Sequence, residues 1–81
     1  MGEDCPPSLK ILVKKRLTEK LREIGVENPR FFSYFVEDVC VNVKKELDKH
    51  EYASEKLVER LIEKKASSVL EFYKLVYGWK Q

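Results

Sequence analysis

The sequence predicts an all-α protein, a compact four-helix bundle. Two observations carry that prediction. Apolar residues return every third or fourth position through most of the chain, and no stretch sustains the period-two alternation of a half-buried strand. Asn, Ser, Pro and Gly stand where those periodic runs would start and stop. The 81 residues suffice for one domain, with 1–7 as an irregular lead-in and 8–81 as a single bundle.

The lead-in, MGEDCPP, has no helical pattern. Ser8 is expected to cap a first helix running to about Ile24, because its hydroxyl can accept from first-turn amides. Leu9, Val13, Leu17, Leu21 and Ile24 gather on one face of that helix. Gly25 is the expected stop, since glycine takes the left-handed conformation cheaply. Asn28-Pro29 reads as the next start, with Asn as cap and Pro at the first helical position. That second helix is expected to reach about Leu47 and to bury Phe32, Phe35, Val36, Val39, Val43 and Leu47.

The polar stretch DKHEYA is expected as a loop, and Ser54 as the cap of a third helix buried through Leu57, Val58, Leu61 and Ile62. Ser68 and Glu71 have the form of a capping box and predict a fourth helix from Ser67–Ser68. Its inner face is Val69, Phe72, Tyr73, Val76 and Trp79.

Composition narrows the functions. Hydrophobic residues make up 43% of the chain and charged residues 37%, which describes a folded domain with a highly charged surface rather than a disordered one. Sixteen basic residues against fourteen acidic ones leave a net charge of +2, so affinity for a polyanion depends on how charge is distributed. No apolar run approaches the roughly 20 residues of a membrane span, and the opening residues lack the basic and apolar regions of a leader. Cys5 and Cys40 are expected as two free thiols in a reducing, intracellular setting, and the chain is expected as a monomer.

Catalytic equipment is not apparent. His50 is the one histidine and stands in the polar loop. Ten helical residues would hold it roughly 15 Å from Cys40, too far for a nucleophile and base to pair. Two cysteines and one histidine so spaced do not make a zinc site, and three dispersed glycines do not make a phosphate-cradling loop. No enzyme activity, metal or cofactor is expected.

Surface binding remains. On a helical wheel, Lys14, Lys15, Thr18 and Arg22 lie opposite the core stripe of the first helix, flanked by Lys10, Arg16 and Lys20. Such a strip can neutralise a few phosphates of RNA or DNA without reading sequence, although lysines also serve simply to solvate a helix. Four aromatic residues crowd into RFFSYFVEDV. The wheel turns Phe32 and Phe35 inward, leaves Phe31 at the border and points Tyr34 outward near Val41. Ile11 and Tyr77 are the other outward or flanking apolar residues.

Three segments, SLKILVKKRLTEKLREIG, FFSYFVEDV and LVERLIEKKASSVLEFYKLVYGW, resemble the PWI domain, a four-helix module of splicing and RNA-processing proteins. In that family a Leu-Lys pair precedes Pro-Trp-Ile, basic residues and Thr-Glu. Here Leu9-Lys10 precedes Ile11-Leu12-Val13, Lys14-Lys15-Arg16 and Thr18-Glu19. Leu57, Leu61, Ala66, Phe72, Leu75 and Trp79 look similar in order and spacing to the later part of the family. The resemblance covers roughly residues 8–80 without the Pro-Trp-Ile tripeptide, as in divergent PWI-like domains known as docking modules. It implies a nuclear, non-catalytic module that binds nucleic acid weakly through Lys10, Lys14, Lys15 and Arg16, to which the wheel adds Arg22. The alternative is a protein-interaction module that recruits a splicing, polyadenylation or RNA-export partner. The candidate contacts for it come from the wheel: Ile11, Tyr34, Val41 and Tyr77.

Overall fold

A computed structural model describes residues 5–52 and 54–78. These form three helices, α1 (Pro7–Glu23), α2 (Phe32–Leu47) and α3 (Glu55–Gly78), and no strand occurs among the described residues. Trp79, expected in the core, lies outside them.

Helix α1 follows its predicted stripe. Leu9, Val13, Leu17 and Leu21 are buried, and Ile24 is half-buried. Its start differs from expectation. Pro6 is the cap residue and Pro7 the first helical position, with the Lys10 amide donating to the Pro6 carbonyl at 2.9 Å. The two prolines already fix φ near helical values and have no amide to satisfy, so Ser8 falls within the first turn. The end is as predicted. Gly25 has φ +85°, its amide donates to Arg22 O at 3.0 Å, and the Val26 amide donates to Leu21 O at 2.8 Å. This is a Schellman closure, and its apolar partners Leu21 and Val26 are both buried.

Helix α2 begins later than Asn28-Pro29 suggests. Its cap is Phe31, held in the left-handed region at φ 60° and ψ 25°. The Tyr73 hydroxyl donates to the Arg30 carbonyl, and the Arg30 amide donates to the Tyr77 hydroxyl at 3.1 Å. The Tyr77 hydroxyl in turn lies 3.4 Å from the Asn28 carbonyl. Two tyrosines of α3 thus hold residues 28–30 as a loop, and tertiary bonding overrides the local capping signal. Val36, Val39, Cys40 and Val43 are buried in α2, whereas Phe32, Phe35 and Leu47 are half-buried.

Ser54 caps α3 as predicted, its hydroxyl accepting from the Leu57 amide at 3.2 Å. The expected fourth helix is the continuation of α3. Ser67 and Ser68 donate back to the carbonyls of Lys64 and Lys65 at 2.9 and 3.3 Å instead of capping a new start. Ile62, Ala66, Val69 and Tyr73 form one buried stripe across the supposed break, at spacings of four, three and four. With no Gly or Pro there, continuity of that stripe wins.

The helices run up, down and up. Arg16–Glu59 and Lys20–Glu63 pair at a constant offset, so α1 and α3 are parallel. Phe35, near the start of α2, packs on Phe72 and Tyr73, near the end of α3, which sets α2 antiparallel to both α1 and α3. The 24-residue α3 is about 36 Å long, roughly 10 Å longer than either partner. Its last turns therefore run past the start of α2.

The expectation of two free thiols is corrected. Cys5 and Cys40 form a disulfide, with Cα atoms 5.6 Å apart and a separation of 35 positions in sequence. Cys5 thus lies against the middle of α2, a proximity that helical periodicity does not register.

Candidate functional site: an aromatic end and a divided basic strip

Of the basic residues proposed for nucleic acid, Lys10 and Arg16 are engaged within the fold. Lys10 Nζ is 3.0 Å from Glu37 Oε1 on α2. Arg16 meets Glu59 on α3 in a fork, Nε to Oε1 at 2.8 Å and Nη2 to Oε2 at 2.7 Å, and also touches Glu19 at 3.3 Å. The hydrogen bonds from Arg16 hold the Glu59 carboxyl below the usual glutamate range, opposed in part by burial. The same bonds push the Arg16 guanidinium further up, so it stays charged. Lys14, Lys15 and Arg22 are exposed and take part in no ion pair among the described residues. Arg22 lines an open groove of about 590 Å³ with Thr18, Glu27 and Phe32.

The apolar candidates are distributed differently. Tyr34 is 65% exposed and Ile11 is 69% exposed, both as read from the wheel. The Lys10–Glu37 bridge draws the start of α1 toward the side of α2 that carries Tyr34, one turn before Glu37. Val41 is half-buried beside Cys40. Tyr77 is also half-buried, and its hydroxyl is occupied by the backbone of residues 28–30.

Around Tyr34 the structure assembles residues that the wheel did not select. Tyr34 lies edge-on to Phe35 with ring centroids 5.4 Å apart, and Phe35 meets Phe72 at 5.2 Å. Phe72 and Val76, expected inside, are 40% and 45% exposed, and Leu75 beside them is 73% exposed. Phe72 and Val76 are exposed because α3 runs on past the end of α1, Leu75 lies off the buried stripe, and Tyr73 alone of that turn points into the core. Of the seven large hydrophobic residues exposed among the described residues, five belong to this end: Phe31, Tyr34, Phe72, Leu75 and Val76. The sequence signal for Leu75 was its place off the core stripe, an apolar residue with no inward neighbour.

Next to Phe35, α2 and α3 leave a cleft of about 160 Å³, floored by Val39 and Val69 and rimmed by Asp38, Asn42, Lys65 and Ser68. Its size suits one aliphatic side chain. Among the described residues no cluster of three or more His, Cys, Asp or Glu is placed to hold a metal, and no helix is long and apolar enough to cross a membrane. No protein-family model, curated protein or solved structure matches the chain.

Proposed function

We propose that this domain is a non-catalytic docking module that captures a segment of a partner protein on its aromatic end. The observation that carries the reading is the ridge of Tyr34, Phe35 and Phe72, continued along α3 by Leu75 and Val76. At their exposures, the five apolar residues of this end present roughly 500–600 Å², the upper end of what monomeric proteins leave bare. A standard interface takes about 800 Å² from each partner, so the surface suits a peptide or single helix better than a large rigid face. The PWI-like resemblance supplies the setting of this proposal: a nuclear partner of splicing, polyadenylation or RNA export.

Weak, sequence-blind binding of RNA or DNA is the second reading, and it rests on Lys14, Lys15 and Arg22 being outside the ion pairs. It ranks second because Lys10 and Arg16 are committed to Glu37 and Glu59.

Photocrosslinking tests the docking proposal. A benzophenone side chain replacing Tyr34 or Leu75 is expected to trap the same protein from a nuclear extract, whereas one replacing exposed Lys56 does not. The Phe72→Ser variant should abolish the adduct at position 34. Equal trapping from all three positions would overturn the docking reading.

A further inference from the structure

We propose that the Cys5–Cys40 disulfide is a redox-operated clasp that holds a short strap, Cys5 and Pro6, against α2 while the bundle itself does not depend on it. The two sulfurs sit in unlike places. Cys40 is fully buried among the core residues of α2, and Cys5 is half-buried on the non-helical residues before α1. A small thiol therefore reaches the Cys5 sulfur and not the Cys40 sulfur.

The chemistry balances with a monothiol such as glutathione as reductant. Its thiolate attacks Cys5 Sγ, forming a mixed disulfide there and breaking the Cys5–Cys40 bond. The bonding pair leaves on Cys40 Sγ, which takes up the proton the attacking thiol released. A second thiol attacks the glutathione sulfur of the mixed disulfide, freeing Cys5 as a thiol and releasing glutathione disulfide. Two thiols are oxidised and one protein disulfide is reduced, and the reverse exchange closes the clasp.

Both states of Cys40 suit its surroundings. A protonated thiol behaves as a small hydrophobe, so the reduced side chain stays at home between Val36, Val39 and Val43. The buried stripes of α1, α2 and α3 meet one another without Cys5. Cys5 and Pro6 have weaker ties: both are only half-buried, with Cys5 against the edge of the core, the Pro6 cap has no side-chain hydrogen bond, and the backbone tie to α1 is the Lys10 amide on Pro6 O. Pro6 also forms one wall of a groove of about 610 Å³ floored by Leu9, Leu12, Leu47 and Val58. Opening the clasp frees that wall and widens the groove. The thiol poise of the compartment then sets the state, open in a reducing nucleus or cytosol and closed where glutathione is oxidised.

The test uses the full chain equilibrated in buffers of graded glutathione to glutathione disulfide ratio. Maleimide mass labelling after acid quench reads the thiols, and amide hydrogen exchange reads the two end states. The expected result is concerted appearance of two labelled thiols. Exchange at Lys10 and Ile11 rises at least tenfold in the reduced form, while Val39–Val43 and Ile62–Ala66 change less than twofold. A Cys5→Ser variant, and separately Cys5→Ser with Cys40→Val, should show the reduced pattern in every buffer. Three results overturn the proposal: two free thiols in glutathione disulfide alone, loss of protection throughout the bundle on reduction, or the same protection in both states.

Discussion

At the scale of single residues, Tyr73 does more than its ring suggests. It is fully buried, packs against Phe35, Phe72 and Tyr77, and donates its hydroxyl to the Arg30 carbonyl. Burial, and then the neighbouring Tyr77, push its phenol above the usual tyrosine value, so it remains a donor through the neutral range. That donation helps hold Phe31 in a left-handed conformation that a β-carbon disfavours. Tyr73→Phe keeps the packing and removes the bond, and should cost about 1 kcal/mol. For a chain of this length that is a fall of about 4–8 °C in Tm, readable by circular dichroism. Tyr77→Phe should cost less, because its half-exposed site lets water replace the phenol. A smaller loss in Tyr73→Phe than in Tyr77→Phe would refute this account of the loop.

At the scale of elements, what was legible in the sequence was whatever local chemistry decides. The stripe of α1, its end at Gly25 and the cap at Ser54 each depend on residues within one or two turns, and each is where the periodicity and the side-chain chemistry place it. Asn28-Pro29 and Ser68-Glu71 are equally good local signals. They lose to distant partners: the tyrosine hydroxyls hold the first as loop, and the unbroken stripe through Ala66 carries α3 through the second. The exposed faces of Phe72 and Val76 were illegible for a related reason, since a helical wheel does not know that α3 outruns its neighbours. Tyr34 was legible because its outward direction follows from spacing alone.

Two measurements bear on these elements. Serine in a helix interior is worse than alanine by up to about 0.5 kcal/mol, so replacing Ser67 and Ser68 together by Ala should stabilise the domain by up to about 1 kcal/mol. Were Ser68 a cap, the same change would destabilise it by about that amount, and a urea melt distinguishes the signs. The clamp of Arg16 on Glu59 gives a pH dependence. Glu59 has a folded value below its unfolded value of roughly 4.3, so its contribution is fully present above that range. The contribution is lost as pH falls through the folded value. Glu59→Gln should therefore flatten the acid limb of a plot of Tm against pH below about pH 4.5, without changing its slope near neutrality. An unchanged acid limb would show that the fork is not maintained in solution.

At the scale of the whole molecule, the decisive quantity is how sixteen cations and fourteen anions are arranged, because a net charge of +2 attracts little by itself. The bundle spends charge on joining its helices: Lys10 to α2, and Arg16 and Lys20 to α3. On α1 this leaves Lys14, Lys15 and Arg22 to meet a polyanion. Three phosphate contacts to a single strand give a logarithmic salt slope of about −2, so affinity for a 12-nucleotide RNA should fall about 20-fold between 50 and 200 mM salt. Fluorescence anisotropy measures that slope, and changing Lys14, Lys15 and Arg22 together to Glu should remove binding at 50 mM. Arg16→Gln should leave the slope unchanged, because its guanidinium is already held by Glu59. A slope near −3.5 that drops when Lys10 and Arg16 are replaced would mean that the interhelical pairs open to receive the strand. The basic face of α1 would then rank above the aromatic end as the working surface.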